Sequence, residues 1–574
     1  MKNLNKLFTC MLATVLLVSS CSTDIDREPL DRLSEAAFFR NAEEFKLFAN
    51  QFYFELETFN RNDIQSDIIR GNGPDAVSNG TNIVPIEDPV WDDSYSTIFS
   101  TNFLLQKFDE LEENREESAV YAAEAKFFRA YTYFRLLQRF GGVPLITQTL
   151  DTDSPELQAP RNTRQEVFAQ IETDLLEAIT DLPVQGDISD ADLGRISRGA
   201  AQAFLARAYL FEGTWRKYKG GDGSALISNA VDQADAVINS GEYVLFQDDF
   251  GWGEDEFLHY FFTLDSSVQQ NPDNIGESAN NEFILAQKYD AALRRSVYVG
   301  REWLAGRTTP TKIFADMHLC RDGLPIDQSP LFQGYDLMTS EFENRDLRMR
   351  NHFQIPKQQY WQPSPAWGRD WSDPDNPGRG FVFYGQTGDL GSRTSTGYSN
   401  IKYVAYGIPL DIGIDYSVIR YAEVLLTYAE AVFERDGSIS DGDLDRSLNL
   451  VRMRAGLPAL TNAFVGANNL DMLTEIRRER TVELAWEGFR LDDLRRWHTA
   501  HIELRKAVRG VKYEGTEYET DPNTAGLVLS FDPDGFIVLE AESTRLFDEN
   551  KNYLFPIPSG QIIANPNLQQ NPNW

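Results

Sequence analysis

The chain is poor in cysteine, histidine and methionine, with 3, 5 and 7 among its 574 residues. Three cysteines cannot build a disulfide framework. Positive charge is also scarce: 54 Lys+Arg face 88 Asp+Glu, for a net charge of −34 at pH 7. That balance excludes a nucleic-acid binder, which needs a basic footprint to neutralise phosphates. It equally disfavours polybasic docking on anionic lipid. Past the N-terminus, no apolar run reaches the ~18–20 residues of a membrane span. Missing as well are a Walker Gly-rich Lys-Ser/Thr loop, a His-Glu-x-x-His pair and a Gly-x-Ser-x-Gly elbow. With 88 acids, an abundance of carboxylates is no evidence for a glycosidase pair, whose signature is a separation in space. What is present is 42% hydrophobic residues, enough for a sizeable core.

The N-terminus sets the compartment. Lys2 and Lys6 precede an apolar stretch at 7–18, too short to span a bilayer, and small residues follow it. This is the pattern of a cleaved export signal over residues 1–20. Leu17-Val18-Ser19-Ser20-Cys21 resembles a bacterial lipobox, which predicts lipidation of Cys21 and a membrane anchor that does not cross the bilayer. Cys10 leaves with the signal, so Cys320 is the lone internal thiol. Residues 21–33 read as a solvated tether. Asp24, Asp26 and Glu28 resemble the acidic tags that send bacterial lipoproteins to the cell surface.

Three- and four-residue apolar spacing then predicts helices over 34–52, 94–111, 119–140, 163–182, 197–213 and 225–239. Thr163 and Glu166 form a capping-box signature. Helices recur over 420–435, 443–455 and 474–497. Pairs repeating at about 35–45 residues point to tetratricopeptide-like stacking. Between the two sets, residues 247–415 are rich in Gly, Pro and aromatics and lack sustained periodicity, as binding regions often do. The expected fold is therefore mainly α: an N-terminal helical region at 34–246, a loop-rich region at 247–415, and a C-terminal helical region with its tail at 416–574.

Several blocks together carry a family resemblance. They are Glu124-Ala-Lys-Phe-Phe-Arg-Ala-Tyr-Thr-Tyr-Phe-Arg-Leu-Leu137 with Phe140-Gly-Gly-Val-Pro-Leu145, and the small-residue run from Arg198 to Leu210. Ile419-Arg-Tyr-Ala-Glu-Val-Leu-Leu-Thr-Tyr-Ala-Glu430 and Val451-Arg-Met-Arg-Ala-Gly-Leu-Pro458 follow. Glu475-Ile-Arg-Arg-Glu-Arg480, Gly488-Phe-Arg-Leu-Asp-Asp-Leu-Arg-Arg-Trp497 and the ending Asn571-Pro-Asn-Trp574 complete the set. In this order, behind a lipobox, they resemble the SusD/RagB family of outer-membrane nutrient-binding lipoproteins. The resemblance implies helix pairs supporting an irregular ligand-binding region. It also implies a partner, a TonB-dependent SusC-like barrel over which the protein sits as a lid, and a glycan ligand bound without catalysis. Peptide capture is the alternative within the same class, and a surface glycoside hydrolase the alternative outside it.

Flat side chains suit a glycan, because sugar rings present apolar C–H faces while polar side chains fix the hydroxyls. Tyr360, Trp361, Trp367 and Trp371 crowd into one Pro-interrupted stretch with Arg369 and Asp370 and are the candidate platform; the bland alternative is loop packing. Trp303 is a further candidate. Asp67, Arg70, Asn79 and Asn82 belong to a loop that often lines the ligand face in the family, whereas Trp91 reads as core. The arginines over 475–496 alternate with Glu479, Glu483, Glu487, Asp492 and Asp493, which predicts an ion-pair lattice rather than a phosphate site. His498 and His501 have metal-ligand spacing but no evident third ligand, so no metal and no cofactor is expected. Residues 436–445 miss the calcium-loop register and read as a capped turn.

Overall fold

The computed structural model describes residues 38–247, 275–296, 308–356, 393–403 and 413–574, with interruptions at 60–61, 72, 522–523 and 525–528 and a few positions between these blocks. Helices dominate the first block. They are α1 (Ala42–Ala49), α2 (Pro89–Asp109), α3 (Arg115–Phe140), α4 (Arg164–Asp181), α5 (Arg198–Tyr218) and α6 (Ser224–Ser240). Four of these starts, those of α1, α2, α4 and α5, carry a side-chain cap. Asn41 caps α1 by accepting from Glu44 N at 3.1 Å. Asp88 caps α2, with Pro89 at the first helical position, so α2 begins five residues before the apolar pattern indicates. Thr163 and Glu166 make the full capping box of α4. At its far end α6 stops on Gly241, whose φ of 69° an L side chain rarely adopts.

Successive helices from α2 to α6 pack side by side. Their shared interior is aromatic: Phe134 of α3 meets Phe204 and Phe211 of α5 edge-on, with ring centroids 5.4 Å apart in both pairs. The stack then continues across a gap of about 180 residues in sequence. Helix α9 (Tyr421–Asp436) docks on α6, following the short α7 (Lys312–Met317) and α8 (Leu347–His352). Helices α10 (Leu448–Arg454), α11 (Met472–Glu483) and α12 (Arg490–Arg496) complete the scaffold around α9 and α5. Between α6 and α9 the chain leaves this stack for the segment that holds α7 and α8. Antiparallel pairing of β2 (Phe283–Gln287) with β4 (Tyr416–Arg420) closes its base. Two further antiparallel pairs join β1 (Ile69–Arg70) to β3 (Thr309–Pro310) and β5 (Val508–Lys512) to β6 (Phe536–Glu540). No helix among the described residues is long and apolar enough to cross a membrane.

Two expected helices are broken. The one expected over 443–455 divides into a capped turn, Asp441–Asp445, and α10. The one expected over 474–497 stops at Glu483 and resumes at Arg490. In the turn between, Trp486 and Gly488 have φ of 63° and 80°. Long-range partners explain the break. Gly488 N and Arg490 N donate to Asp63 at 3.3 and 3.2 Å, and the turn points Glu483 and Glu487 at one guanidinium, that of Arg420.

Arg420 is 1% exposed and makes five bonds. Its Nε and Nη2 donate to both oxygens of Glu487 at 2.7 and 2.8 Å. Nη1 donates to Glu282 at 2.9 Å and Glu483 at 2.7 Å, and Nη2 also reaches the Glu483 carbonyl at 2.8 Å. Arg454 bonds the same two glutamates, Glu282 and Glu483, while Lys402 meets Glu487 at 2.7 Å and Arg348 meets Glu483 at 2.9 Å. Single buried pairs pin the other helices. Arg129 joins α3 to Asp174 of α4 at 2.6 Å, Arg164 joins α4 to Glu212 of α5 at 2.7 Å, and Arg207 joins α5 to Glu423 of α9 at 2.6 Å. In α12, Arg496 grips Glu430 of α9 with both terminal nitrogens, at 2.6 and 2.7 Å. The arginine-rich segment is therefore an internal lattice of ion pairs.

Two predictions follow from these charges. Arg420→Met leaves three buried carboxylates short of a counter-charge and should cost about 3–5 kcal/mol in denaturant unfolding; a cost under about 1 kcal/mol would show the lattice to be inessential. The second concerns pH. Burial raises the Glu430 carboxyl, but the Arg496 guanidinium outweighs it and holds the group at about 2. A carboxylate depressed in the fold stabilises above its unfolded value near 4.5 and loses that contribution as pH falls toward 2. The melting-temperature deficit of Glu430→Gln should accordingly be large at pH 7 and shrink below pH 4.5; a deficit independent of pH would contradict this.

Candidate ligand-binding face

Of the residues singled out in the sequence, Cys21, Trp303, Tyr360, Trp361, Trp367 and Trp371 lie outside the described residues. The structure shows the frame that flanks them. On the near side of the 360–371 stretch the chain passes through 353–355, and on the far side through 399–401, and the two strands clasp each other. Phe353 and Asn400 form an antiparallel bridge, Gln354 N donates to Ser399 O at 2.9 Å, and Ile401 N donates to His352 O at 3.2 Å. Lys402, just beyond this clasp, is fully buried and donates to the carbonyls of Glu483 and Ala485 at 3.0 and 2.8 Å as well as to Glu487. Thr396, just before it, docks on β5: its carbonyl accepts from Val511 N at 2.8 Å. A Cβ on Gly510 would sit 2.2 Å from that same carbonyl, so only glycine permits the contact.

Arg70 is where the flanks of both aromatic-bearing stretches meet. In β1 it pairs with Thr309, six residues beyond Trp303 in sequence, and its carbonyl accepts from Thr309 Oγ1 at 3.3 Å. Its Nη1 donates to Ser395 Oγ at 2.8 Å and to Gly71 O at 3.2 Å, and its Nε lies 3.4 Å from Glu540 of β6. Glu540 in turn takes Arg545 at 2.6 Å, and Arg545 Nη2 donates to Ser78 O at 3.3 Å in the loop that holds Asn79 and Asn82. Asn82 is half-buried, and its Oδ1 accepts from Asn552 at 3.2 Å.

Asp67 has a different place. It is buried, and both its oxygens are held by Arg490 at 2.8 Å. Burial raises its carboxyl, yet the Arg490 charge prevails and holds it below the usual carboxylate range. A ligand would have to break that pair to reach it, so Asp67 anchors the loop to α12 rather than facing outward. Neighbouring Asp63 is pushed up to about 6 by burial, which backbone donors from Arg490 and Gly488 only partly offset. Trp91 packs in the core between Tyr95 and Phe140, at centroid distances of 5.2 and 5.3 Å. Ser395, Glu540 and Arg545 escaped the sequence reading because the partners that tie them to this loop, Arg70 and Ser78, lie hundreds of residues away.

Two open clefts border the helical stack. One of about 410 Å³ is polar, with Glu57, Arg135, Gln138, Asp492 and Arg495 on its walls; burial lowers Arg495 to about 10. The other, about 380 Å³, is apolar, with Trp91, Tyr95 and Ile98 facing Leu568 of the tail. Neither includes Asp67, Arg70 or Asn82.

Comparison with known proteins gives these features a family. A model described as the SusD family matches residues 271–574, and one described as starch-binding associating with outer membrane matches residues 31–210. Among curated relatives, a SusD-like protein, P2, of Formosa agariphila is 24% identical over 100% of this chain and 99% of its own. A SusD-like carbohydrate binding protein from Bacteroides fragilis shares the fold with a TM-score of 0.72 and 22% identity, covering 93% of this chain and 100% of its own. A laminarin binding SusD-like protein superposes with a TM-score of 0.55 and 22% identity, again over 93% and 100%. With a family model spanning more than half its length and the helical stack shared throughout, the chain belongs to the SusD family.

Proposed function

We propose that the protein captures an oligosaccharide or polysaccharide at the cell surface, without catalysis, and delivers it to a TonB-dependent SusC-like transporter in the outer membrane. The observation that carries this reading is the convergence on Arg70. Thr309, six residues after Trp303 in sequence, and Ser395, 24 residues after Trp371, both bond to it. Stacking of aromatic rings on sugar faces, with Arg70 and Asn82 nearby for hydroxyls, is the chemistry such a face offers. The starch-binding description of the N-terminal family model and the laminarin-binding description of one structural neighbour support a glycan as the ligand class. An anchor through lipidated Cys21 would hold the protein beside its transporter without a span of its own. In this reading Asp67 supports the face from behind.

Purified protein offered a panel of glycans should retain one class and release no product; appearance of cleaved sugar would overturn the non-catalytic reading. Trp361→Ala and Trp371→Ala should each weaken retention about ten-fold or more while leaving the melting temperature unchanged. Unaltered affinity in both would remove the proposed platform. Gly510→Val tests the frame: its side chain displaces Thr396 and should lower affinity with every aromatic intact. Full affinity there would show that the clasp does not position the ligand.

A further inference from the structure

The sequence leaves His498 and His501 without a third ligand, and the fold supplies one. Glu549, 51 residues downstream of His498, folds back so that its Oε1 lies 2.9 Å from His498 Nε2 and its Oε2 3.9 Å from His501 Nε2. One donor atom from each of the three side chains lies within 4.8 Å of the others. Ligands held at about 2.0–2.1 Å around a tetrahedral ion sit roughly 3.3 Å apart, so side-chain shifts of an ångström or less would close such a shell.

We propose that His498, His501 and Glu549 form a binding site for a divalent transition-metal ion, with a fourth position open to water. Two imidazoles and one carboxylate select zinc-like ions over calcium or magnesium, which prefer shells made of oxygen. The surroundings are built for this role. His501 Nδ1 is engaged by the Tyr553 hydroxyl at 2.8 Å, which fixes the ring and leaves Nε2 to the ion. His498 follows α12 with a left-handed backbone, φ 58°, a costly conformation for a residue with a side chain, and its ring centroid lies 5.1 Å from that of His501. The three side chains are 23%, 25% and 49% exposed, so an ion can enter from solvent. Lys219, with Nζ 3.6 Å from the centre of the Tyr553 ring, opposes a bound cation, and the Glu549 carboxylate offsets it. A bound ion would tie the C-terminal tail to the helical stack, because Glu549 and Tyr553 belong to the one and the histidines to the other.

The full chain, carrying no histidine tag and stripped with chelator, is titrated with Zn²⁺ by calorimetry and with Co²⁺ by visible absorption. One ion per chain, tetrahedral Co²⁺ bands and a rise in melting temperature with Zn²⁺ are expected. His498→Ala, His501→Ala and Glu549→Gln should each weaken Zn²⁺ binding ten-fold or more with an unchanged circular dichroism spectrum, and Tyr553→Phe should weaken it about ten-fold. Glu549 is half exposed, so its variant tests the site even if a histidine variant misfolds. No uptake by the wild type, or wild-type affinity in Glu549→Gln, would overturn the assignment.

Discussion

The fold turns on the ion cluster at Arg420. Three distant parts of the chain meet there: Glu282 just ahead of β2, Arg420 at the junction of β4 and α9, and Glu483 and Glu487 around the break after α11. Taking these charges out of water costs several kcal/mol per ion, and their mutual attraction compensates only when every partner is present. Such a cluster adds little net stability over an apolar core of equal volume. Its effect is to make the arrangement all-or-none, since any segment that withdraws strands a charge in the interior.

This constraint reaches the proposed binding face through Lys402. Its ammonium bonds to Glu487 and to two carbonyls of the broken helix, and it follows directly on the clasp of residues 353–355 and 399–401. Thr396 against Gly510, and Ser395 against Arg70, fix the same strand from two other sides. The stretch carrying Trp361 and Trp371 is thus mounted on roots whose positions the charge cluster sets.

How much of this is legible in the sequence depends on the range of the interaction. The capping box at Thr163 and Glu166 and the glycine stop of α6 are local, and the sequence shows them directly. The alternation of acids and arginines over 475–496 announces ion pairing, because opposite charges three and four residues apart are neighbours on a helix. It does not announce the break at 484–489. The amphipathic pattern runs on through that turn, and what stops the helix is Asp63, which lies more than 420 residues away in the chain. Asp67 fails in the same way. A carboxylate in a polar loop resembles a ligand group until Arg490 is brought against it. Glu549 completes the histidine pair by the same kind of folding back, and spacing rules built on single helices cannot anticipate it.

The charge balance also takes on a location. Among the described residues, buried guanidiniums and ammoniums are matched by buried carboxylates, as at Arg129, Arg207, Lys402, Arg420 and Arg496. Most of the −34 therefore belongs to the surface. An acidic surface repels polyanions over about a Debye length, roughly 8–10 Å at physiological salt. Among the described residues, Arg70 at the proposed face is already engaged by Glu540, and the arginines of the polar cleft share it with Glu57 and Asp492. A neutral sugar incurs no such repulsion. It meets aromatic rings through its C–H faces and hydrogen-bonding groups through its hydroxyls, so the surface charge and the aromatic stretch favour the same chemistry in the ligand.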